Sequence, residues 1–266
     1  HVKRYTTTGM GTDQGKLGNM HALGIIAETA GVKMGELGTT TFRPPYTPLT
    51  FGTIVGRNVG EYFDTFRRTP MNDWHLENKA EFENVGQWKR AWYYPKNNET
   101  MHDAVQRESK AARNSAGILD ASTLGKIDIQ GTDASEFLNR VYTNAWSKLA
   151  IGKCRYGLML NEDGMVYDDG VTTRLDENHY IMTTTTGGAA NVLGKLEDYL
   201  QTEWPELDVY LSSVTDHYAT ASICGPNSKK ILKKLAPDLD LSDENFPHMS
   251  FKNVKIDNIK CRIMRI

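Results

Sequence analysis

The pattern of apolar and polar positions is clearest in residues 156–175, where it predicts a β-hairpin. Apolar side chains alternate along its first strand at Tyr156, Leu158 and Leu160. Residues 161–164, Asn-Glu-Asp-Gly, have the composition of a turn, and an extended apolar pattern resumes after them. The second strand carries two adjacent carboxylates, Asp168 and Asp169, although aspartate is uncommon in strands.

These two acids cannot both point at solvent if one face of the hairpin packs on a core. Successive side chains of a strand face opposite sides, so one carboxylate is expected to face inward. An inward carboxylate costs several kcal/mol unless it is hydrogen-bonded or paired. The residues alone leave two interpretations open for it, a structural hydrogen-bond acceptor or a group that faces a ligand.

Regular periodicity continues from residue 101 onward and predicts helices and strands in irregular order. Helices are predicted at residues 103–114, 133–142, 189–200 and 227–235. Strands are predicted, besides the hairpin, at residues 126–130, 180–185, 208–212 and 220–224. Asp133 and Glu136 have capping-box spacing at the start of the second helix. Hairpin-joined strands with irregularly placed helices favour an α+β fold over a doubly wound parallel sheet.

Residues 1–100 differ from the rest, because they are rich in Gly, Thr and Pro and have little sustained periodicity. We expect a loop-rich connecting segment there, in front of a domain at residues 101–266. A helix is predicted at residues 19–30, with Gly31 as its stop signal, and the prolines of residues 39–48 exclude a helix. A small satellite core and a partner surface both remain open for the aromatic residues Trp74, Trp88, Trp92, Tyr93 and Tyr94.

Composition narrows the function classes. With 266 residues, of which 39% are hydrophobic, the chain is long enough for one or two domains with a core. A net charge of -2 disfavours a nucleic-acid partner and a membrane surface. No signal pattern or bilayer-spanning apolar run is present, so a cytoplasmic location is expected. The isolated Cys154, Cys224 and Cys261 are predicted to be buried thiols in a reducing compartment.

Familiar nucleotide and metal motifs fit poorly. Residues 9–16, GMGTDQGK, resemble a phosphate loop, but the spacing is one residue too long and Leu17 stands where a Ser or Thr would bind magnesium. A Rossmann interpretation is also weak, because residues 1–8 make a poor buried strand. The seven histidines are scattered without a zinc-binding or serine-triad pattern, so no metal site is predicted.

Four segments, taken together, resemble a known family: GILDASTLGKIDIQG (117–131), DASEFL (133–138), GK (152–153) and LNEDGMVYDDGV (160–171). By their order and spacing the chain is identified as a member of the folate-binding aminomethyltransferase family, typified by the glycine cleavage T-protein. Residues 3–16, 38–48 and 120–131 are similar to one branch of that family, the alpha subunits of heterotetrameric sarcosine oxidases. The resemblance covers essentially the whole chain and implies an α+β, antiparallel-sheet folate-binding domain.

The resemblance also implies a site. It assigns Asp169 as the catalytic aspartate beside the reactive nitrogens of tetrahydrofolate, so Asp169 is expected to be the inward, ligand-facing acid. Asp168 is then a structural neighbour on the opposite face. Leu124 and Tyr156 match positions that line the pterin pocket, and Thr185 falls where simple members of the family have a folate-contacting Asn.

The implied activity is capture of the one-carbon unit from oxidative demethylation of sarcosine as 5,10-methylenetetrahydrofolate. The resemblance further implies NAD, FAD and FMN in the full assembly and beta, gamma and delta subunits as partners. We expect the chain, which runs from His1 to Ile266, to be a fragment that is inactive alone and lacks an upstream dinucleotide-binding domain and downstream folate-binding residues. The alternatives are a stand-alone aminomethyltransferase, a dimethylglycine dehydrogenase-type enzyme and a non-enzymatic folate-binding relative.

Overall fold

The computed structural model describes residues 1–38, 40–45, 47, 49–57, 59–60 and 65–266. The chain divides into two compact units, His1–Thr65 and Phe66–Ile266. The boundary that composition predicts near residue 100 falls inside the second unit and stays a prediction.

The first unit is built from short helices and loops. Its helices are α1 (Val2–Thr6), α2 (Gly18–Ala30) and α3 (Phe51–Val55), with a 3-10 turn at Met34–Glu36. Helix α2 confirms the helix predicted at residues 19–30, and Gly31 ends it in the left-handed conformation with φ 66°. Of the segment 39–48, residues 39, 46 and 48 lie outside the described residues, and the others lie outside helices and strands.

The glycine-rich loop at residues 9–16 is closed by a carboxylate of the chain itself. Asp13 Oδ2 accepts hydrogen bonds from the backbone N–H groups of Leu17 at 3.1 Å and Gly18 at 2.7 Å. The bond from Gly18 is the main cause that lowers the pKa of Asp13. The backbone N–H groups of Leu17 and Gly18, directly after the loop, are therefore already paired and not available to a phosphate.

The second unit combines five described helices with short strands. The helices are α4 (Asn72–Glu77), α5 (Met101–Asn114), α6 (Ala134–Val141), α7 (Ala189–Asp198) and α8 (Ser228–Leu235). Single 3-10 or π turns lie at Trp146–Lys148, Tyr199–Glu203 and Thr215–His217. In the described part of the chain, no helix is both long enough and apolar enough to cross a bilayer.

The strands of this unit, in chain order, are β1 (Arg67–Arg68), β2 (Glu81–Val85), β3 (Trp88–Tyr93), β4 (Gly117–Asp120), β5 (Gly125–Gln130), β6 (Cys154–Leu160), β7 (Val166–Asp176), β8 (His179–Thr184), β9 (Tyr210–Ser213), β10 (Ala221–Cys224), β11 (Ser250–Ile256) and β12 (Ile259–Arg265). The helices and strands predicted from residue 101 onward are confirmed, each to within a few residues at its ends. The predicted hairpin is β6 and β7.

The largest sheet is antiparallel, with the strand order β6-β7-β8-β5-β9. Helices α6 and α7 bury their apolar sides against it. The resulting core includes Ile127, Ile129, Phe137, Leu138, Trp146, Met159, Tyr180, Met182, Val192 and Leu196. Burying one such side chain contributes about 1.5 to 3 kcal/mol, so this layer of helices on a sheet supplies most of the unit's hydrophobic stabilisation. The predicted α+β fold is confirmed.

Three smaller sheets complete the described unit: β1-β3-β2, β4 with β10, and β11 with β12. The last pairs along its whole length, from Ser250 opposite Arg265 to Ile256 opposite Ile259. Among the aromatic residues, Trp88 is buried while Trp74 and Trp92 are about half exposed, at 51% and 50%. Neither a small satellite core nor a partner surface therefore describes all members of this aromatic cluster.

Two local predictions are corrected. Asp133 makes no capping hydrogen bond to helix α6, because its carboxylate accepts the backbone N–H of Asp208 at 2.9 Å. A capping box forms instead at α5, between Thr100 and Asp103. The prediction of buried thiols is confirmed for Cys154. It is wrong for Cys224, which is exposed because the two-stranded β4–β10 sheet leaves its side chain open to solvent, and Cys261 is only half-buried.

Candidate functional site

The two adjacent acids of strand β7 lie on opposite faces of the large sheet. Asp168 pairs with Met159 on the face that α6 and α7 cover, and it is only 4% exposed. Asp169 pairs with Leu158 on the other face and is half-buried. One inward carboxylate is therefore confirmed, but the prediction that Asp169 is the inward acid is wrong, since Asp168 is the buried one.

The reason lies in strand β6. The apolar residues Tyr156, Leu158 and Leu160 alternate on the face away from α6 and α7, while Met159, on the opposite face, enters the core. A strand that is apolar on both faces does not reveal which face the helices cover. The role of Asp169 as the ligand-facing acid stays a prediction.

Asp168 binds the segment that follows strand β8. The Thr185 hydroxyl donates to Asp168 Oδ1 at 2.6 Å, and the Thr185 backbone N–H lies 3.3 and 3.4 Å from the two carboxylate oxygens. Burial raises the pKa of Asp168, and the bonds from Thr185 offset this only in part. Thr185, predicted as a folate contact, therefore commits its hydroxyl proton to Asp168.

Asp169 is held by a different partner. The Tyr156 hydroxyl donates to Asp169 Oδ2 at 2.6 Å, which brings two of the predicted site residues into direct contact. The hydrogen bond raises the pKa of Tyr156, because the neighbouring carboxylate stabilises the protonated hydroxyl. Tyr156 is 50% exposed, so this face presents an aromatic ring beside an accessible carboxylate.

Leu124 lies in the turn between strands β4 and β5 and is half-buried. A buried lysine holds that turn: Lys126 Nζ donates to the backbone carbonyls of Ser122 at 3.1 Å and Leu124 at 2.8 Å. Burial lowers the pKa of Lys126, although the charges of Asp120 and Asp216 act in the opposite direction. The lysine thus fixes the backbone that carries Leu124.

The turn of Leu124 adjoins the segment of Thr185. Gly125, the first residue of strand β5, pairs with Thr184, the last residue of strand β8. The register therefore places Leu124, just before β5, opposite Thr185, just after β8. The hydroxyls of Thr123 and Thr186 are 3.0 Å apart in a buried hydrogen bond that ties the two segments together. Of the four predicted residues, Tyr156 and Asp169 are therefore in direct contact, Thr185 binds Asp168, the residue before Asp169, and the register places Leu124 opposite Thr185.

Sequence reasoning missed the residues that shape this end. Lys126 carries only a weak local signal, because it stands with Asp128 and Gln130 at the polar positions of the alternating strand GKIDIQ. Thr123 and Thr186 carry none, because they are 63 residues apart in the chain. Within the described ranges, no group of three or more His, Cys, Asp and Glu side chains could hold a metal ion.

Comparison with protein families adds to this geometry. Residues 71–266 match the model described as the GCVT N-terminal domain, and residues 1–57 match the Sarcosine oxidase A3 domain. The chain belongs to the GCVT N-terminal domain family. The GCVT match includes every candidate site residue, Leu124, Tyr156, Asp169 and Thr185.

Curated relatives of this GCVT-family chain include two sarcosine oxidase alpha subunits. The protein from Corynebacterium sp. (strain U-96) is 54% identical over 268 residues and 100% of this chain, and that from Rhizobium meliloti (strain 1021) is 51% identical over 256 residues and 96% of it. The chain spans 28% and 26% of their lengths. The predicted resemblance to the sarcosine oxidase branch of the family is confirmed.

A solved structure supports the same fold. The glycine cleavage system aminomethyltransferase T from Bartonella henselae matches this chain with a TM-score of 0.59 at 23% identity, over 70% of this chain and 47% of that one. At this identity the likeness shows the fold alone, and it agrees with the antiparallel sheet and its helices.

Proposed function

We propose that this chain is part of a sarcosine oxidase alpha subunit and forms its tetrahydrofolate-binding module. In that role it captures the one-carbon unit from oxidative demethylation of sarcosine, and the product is 5,10-methylenetetrahydrofolate. Identity of 54% across the whole chain to a sarcosine oxidase alpha subunit supports the proposal, as does the GCVT match over residues 71–266.

The observation that carries the proposal is the hydrogen bond between Tyr156 and Asp169. It keeps an ionisable carboxylate beside a half-exposed aromatic ring on the accessible face of the sheet. A flat, partly apolar heterocycle with N–H groups, such as a pterin, suits that combination, because the ring offers a stacking surface and the acid accepts from the N–H groups. The residues present therefore fit tetrahydrofolate.

Each residue has a proposed role. Asp169 accepts or steers a proton and stabilises positive charge that develops near it, and Tyr156 holds the carboxylate in one orientation. Leu124 supplies an apolar wall. Thr185 contacts folate as an acceptor, because its hydroxyl proton goes to Asp168 while an oxygen lone pair stays available. Tetrahydrofolate, when bound, supplies the amine nitrogens that accept the one-carbon unit.

The rest of the assembly is proposed to lie outside this chain. Beta, gamma and delta subunits are its proposed partners, with the flavin that oxidises sarcosine held mostly by the beta subunit. NAD, FAD and FMN would bind outside these residues or mostly so. A shared assembly makes physical sense, since the reactive one-carbon product must reach tetrahydrofolate before water consumes it.

The test is Asp169→Ala in the full-length subunit within the assembled enzyme. We expect formation of 5,10-methylenetetrahydrofolate to fall by about 100-fold or more, because loss of a positioned acid–base group has an effect of that size. Flavin reduction by sarcosine should keep its rate. The two reactions are measured separately, by product analysis and by stopped-flow absorbance.

The matched control is Asp176→Ala, which removes an exposed carboxylate from the far end of the same strand. It should leave both reactions unchanged. Methylenetetrahydrofolate yield from Asp169→Ala equal to that of the control would contradict the assignment of Asp169.

A further inference from the structure

Asp168 is a buried carboxylate that the proposed chemistry does not use. It sits one residue before Asp169, on the opposite face of strand β7, and is 4% exposed. A carboxylate in such a place costs free energy unless donors surround it. Thr185 supplies two of its donors, the hydroxyl and the backbone N–H.

The contact between Asp168 and Thr185 is also closely packed against Gly188. Thr185 Oγ1 accepts the backbone N–H of Gly188 at 3.3 Å. A Cβ added to Gly188 would lie 2.6 Å from Thr185 Oγ1 and 3.2 Å from Asp168 Oδ1, so a glycine is what the packing admits there. The segment from Thr185 to Gly188, which leads into helix α7, is therefore held against strand β7 through Asp168.

The same segment is also bonded to the turn that carries Leu124, another residue of the candidate site. Thr186, the residue after Thr185, shares a buried hydrogen bond with Thr123 at 3.0 Å. Thr123 precedes Leu124 in the turn that Lys126 also holds. A continuous set of hydrogen bonds thus runs from the strand of Asp169, through Asp168 and the segment, to the turn of Leu124.

We propose that Asp168 is a positioning residue for the folate pocket, which fixes the distance between the strand that carries Asp169 and the turn that carries Leu124. The proposal rests on the proposed function. Asp168 touches no ligand and acts through the segment Thr185–Gly188. A carboxylate suits this task because it only accepts, and both of the Thr185 groups that face it donate.

The test compares Asp168→Ala and Asp168→Asn in the full-length protein within the assembled enzyme. The alanine variant leaves the two Thr185 donors without their acceptor, so we expect the dissociation constant for tetrahydrofolate to rise about tenfold. The asparagine variant retains one oxygen and should lose less than threefold. Calorimetry under anaerobic conditions measures binding, and flavin reduction by sarcosine should stay unchanged in both variants.

Hydrogen exchange followed by mass spectrometry provides a readout that needs no folate. Backbone amides of residues 184–188 should exchange faster in Asp168→Ala than in Asp176→Ala, the exposed control on the same strand. A general loss of stability would instead lower the melting temperature without changing the folate affinity of the folded protein, and that result overturns the proposal.

Other outcomes separate this proposal from the proposed function. If the unchanged protein fails to bind tetrahydrofolate, both fall. If it binds but Asp168→Ala binds equally well, only the role of Asp168 falls. Where Asp168→Ala fails to fold, Thr185→Val removes the hydroxyl donor from the other side. Because Thr185 is itself a proposed folate contact, exchange at residues 184–188 is the readout for this variant, and exchange equal to that of Asp176→Ala overturns the positioning role.

Discussion

A buried pair in the second unit gives the sharpest stability prediction. His75 Nε2 lies 2.9 Å from Asp120 Oδ2, with both side chains less than 5% exposed, at 4% and 3%. The other histidine nitrogen lies 2.6 Å from the Tyr94 hydroxyl, and Asp120 Oδ1 accepts the backbone N–H of Ser122 at 3.0 Å. This set ties helix α4 and the end of strand β3 to strand β4, which lies just before the turn of Leu124.

Asp120→Ala removes the acceptor at the centre of that set. The imidazole of His75 and the N–H of Ser122 are then left buried without it, and a loss of this kind costs about 3 kcal/mol or more. Asp216→Ala is the comparison, since Asp216 pairs with Arg67 at a similar distance, 2.6 Å, but is 71% exposed. Exposed pairs contribute about 0 to 1 kcal/mol, so burial decides the difference.

Urea unfolding, followed by tryptophan fluorescence, measures both variants. Trp74 packs edge-on against His75, with 5.6 Å between ring centroids, so it reports on this region. We expect Asp120→Ala to lower the free energy of unfolding by at least about 2 kcal/mol more than Asp216→Ala. If both variants lose the same free energy of unfolding, the reasoning that burial makes the His75–Asp120 pair strongly stabilising is refuted.

The pH dependence follows from the direction of the pKa shift. Burial opposes ionisation of Asp120, but hydrogen bonds from its neighbours, Ser122 and His75 among them, lower its pKa overall. A carboxylate whose pKa is lower in the folded state contributes fully above its unfolded pKa, about 3.9, and the contribution is lost as pH falls through the lower folded value. The difference in free energy of unfolding between the unchanged protein and Asp120→Ala should therefore become smaller below about pH 4.

Four further variants test the site and the sheet. Tyr156→Phe removes the donor to Asp169 and should slow methylenetetrahydrofolate formation about fivefold in steady-state assays, while an unchanged rate would assign the hydroxyl no role. Asp169→Asn weakens the hydrogen bond that is the main cause of the raised pKa of Tyr156 and removes the charge that adds to it, so ultraviolet titration should find a lower pKa for that tyrosine. Gly170→Ala places a Cβ 1.9 Å from the Thr183 carbonyl oxygen and should lower the melting temperature strongly or prevent folding. Gly194→Ala, where a Cβ meets nothing within 4 Å, should stabilise helix α7 by about 0.5 to 1 kcal/mol, and equal melting temperatures in the two glycine variants would contradict the packing.

Much of the fold could be read from local patterns. The hairpin of β6 and β7 follows from alternation and a turn, and α2 follows from an apolar stripe that ends at Gly31. These signals lie within short stretches of chain, where backbone preference and side-chain period decide the outcome. The capping box at α5, Thr100 and Asp103, carries such a signal too, although it was not among the predictions.

The candidate site could be predicted only in part, because its contacts join distant segments. The partner of Asp120 is 45 residues away and the partner of Thr123 is 63 residues away, and no local pattern specifies either. The prediction that Asp169 faces the interior is wrong for a related reason. Both faces of strand β6 carry apolar side chains, and only the packing of α6 and α7 decides which face becomes the interior.

The two adjacent acids of strand β7 have separate proposed roles: Asp168 holds the Thr185 segment, and Asp169 is the acid–base group. Because strand geometry turns successive side chains to opposite faces, Asp168 and Asp169 experience different surroundings although they are neighbours in the chain. Burial raises the pKa of Asp168, which binds the Thr185 segment, whereas Asp169 stays accessible with Tyr156 as its donor. The shared backbone then means that whatever fixes Asp168 also limits the movement of Asp169. An accessible carboxylate can in this way be held in place without being buried itself. Burial would disfavour the charged form of a carboxylate.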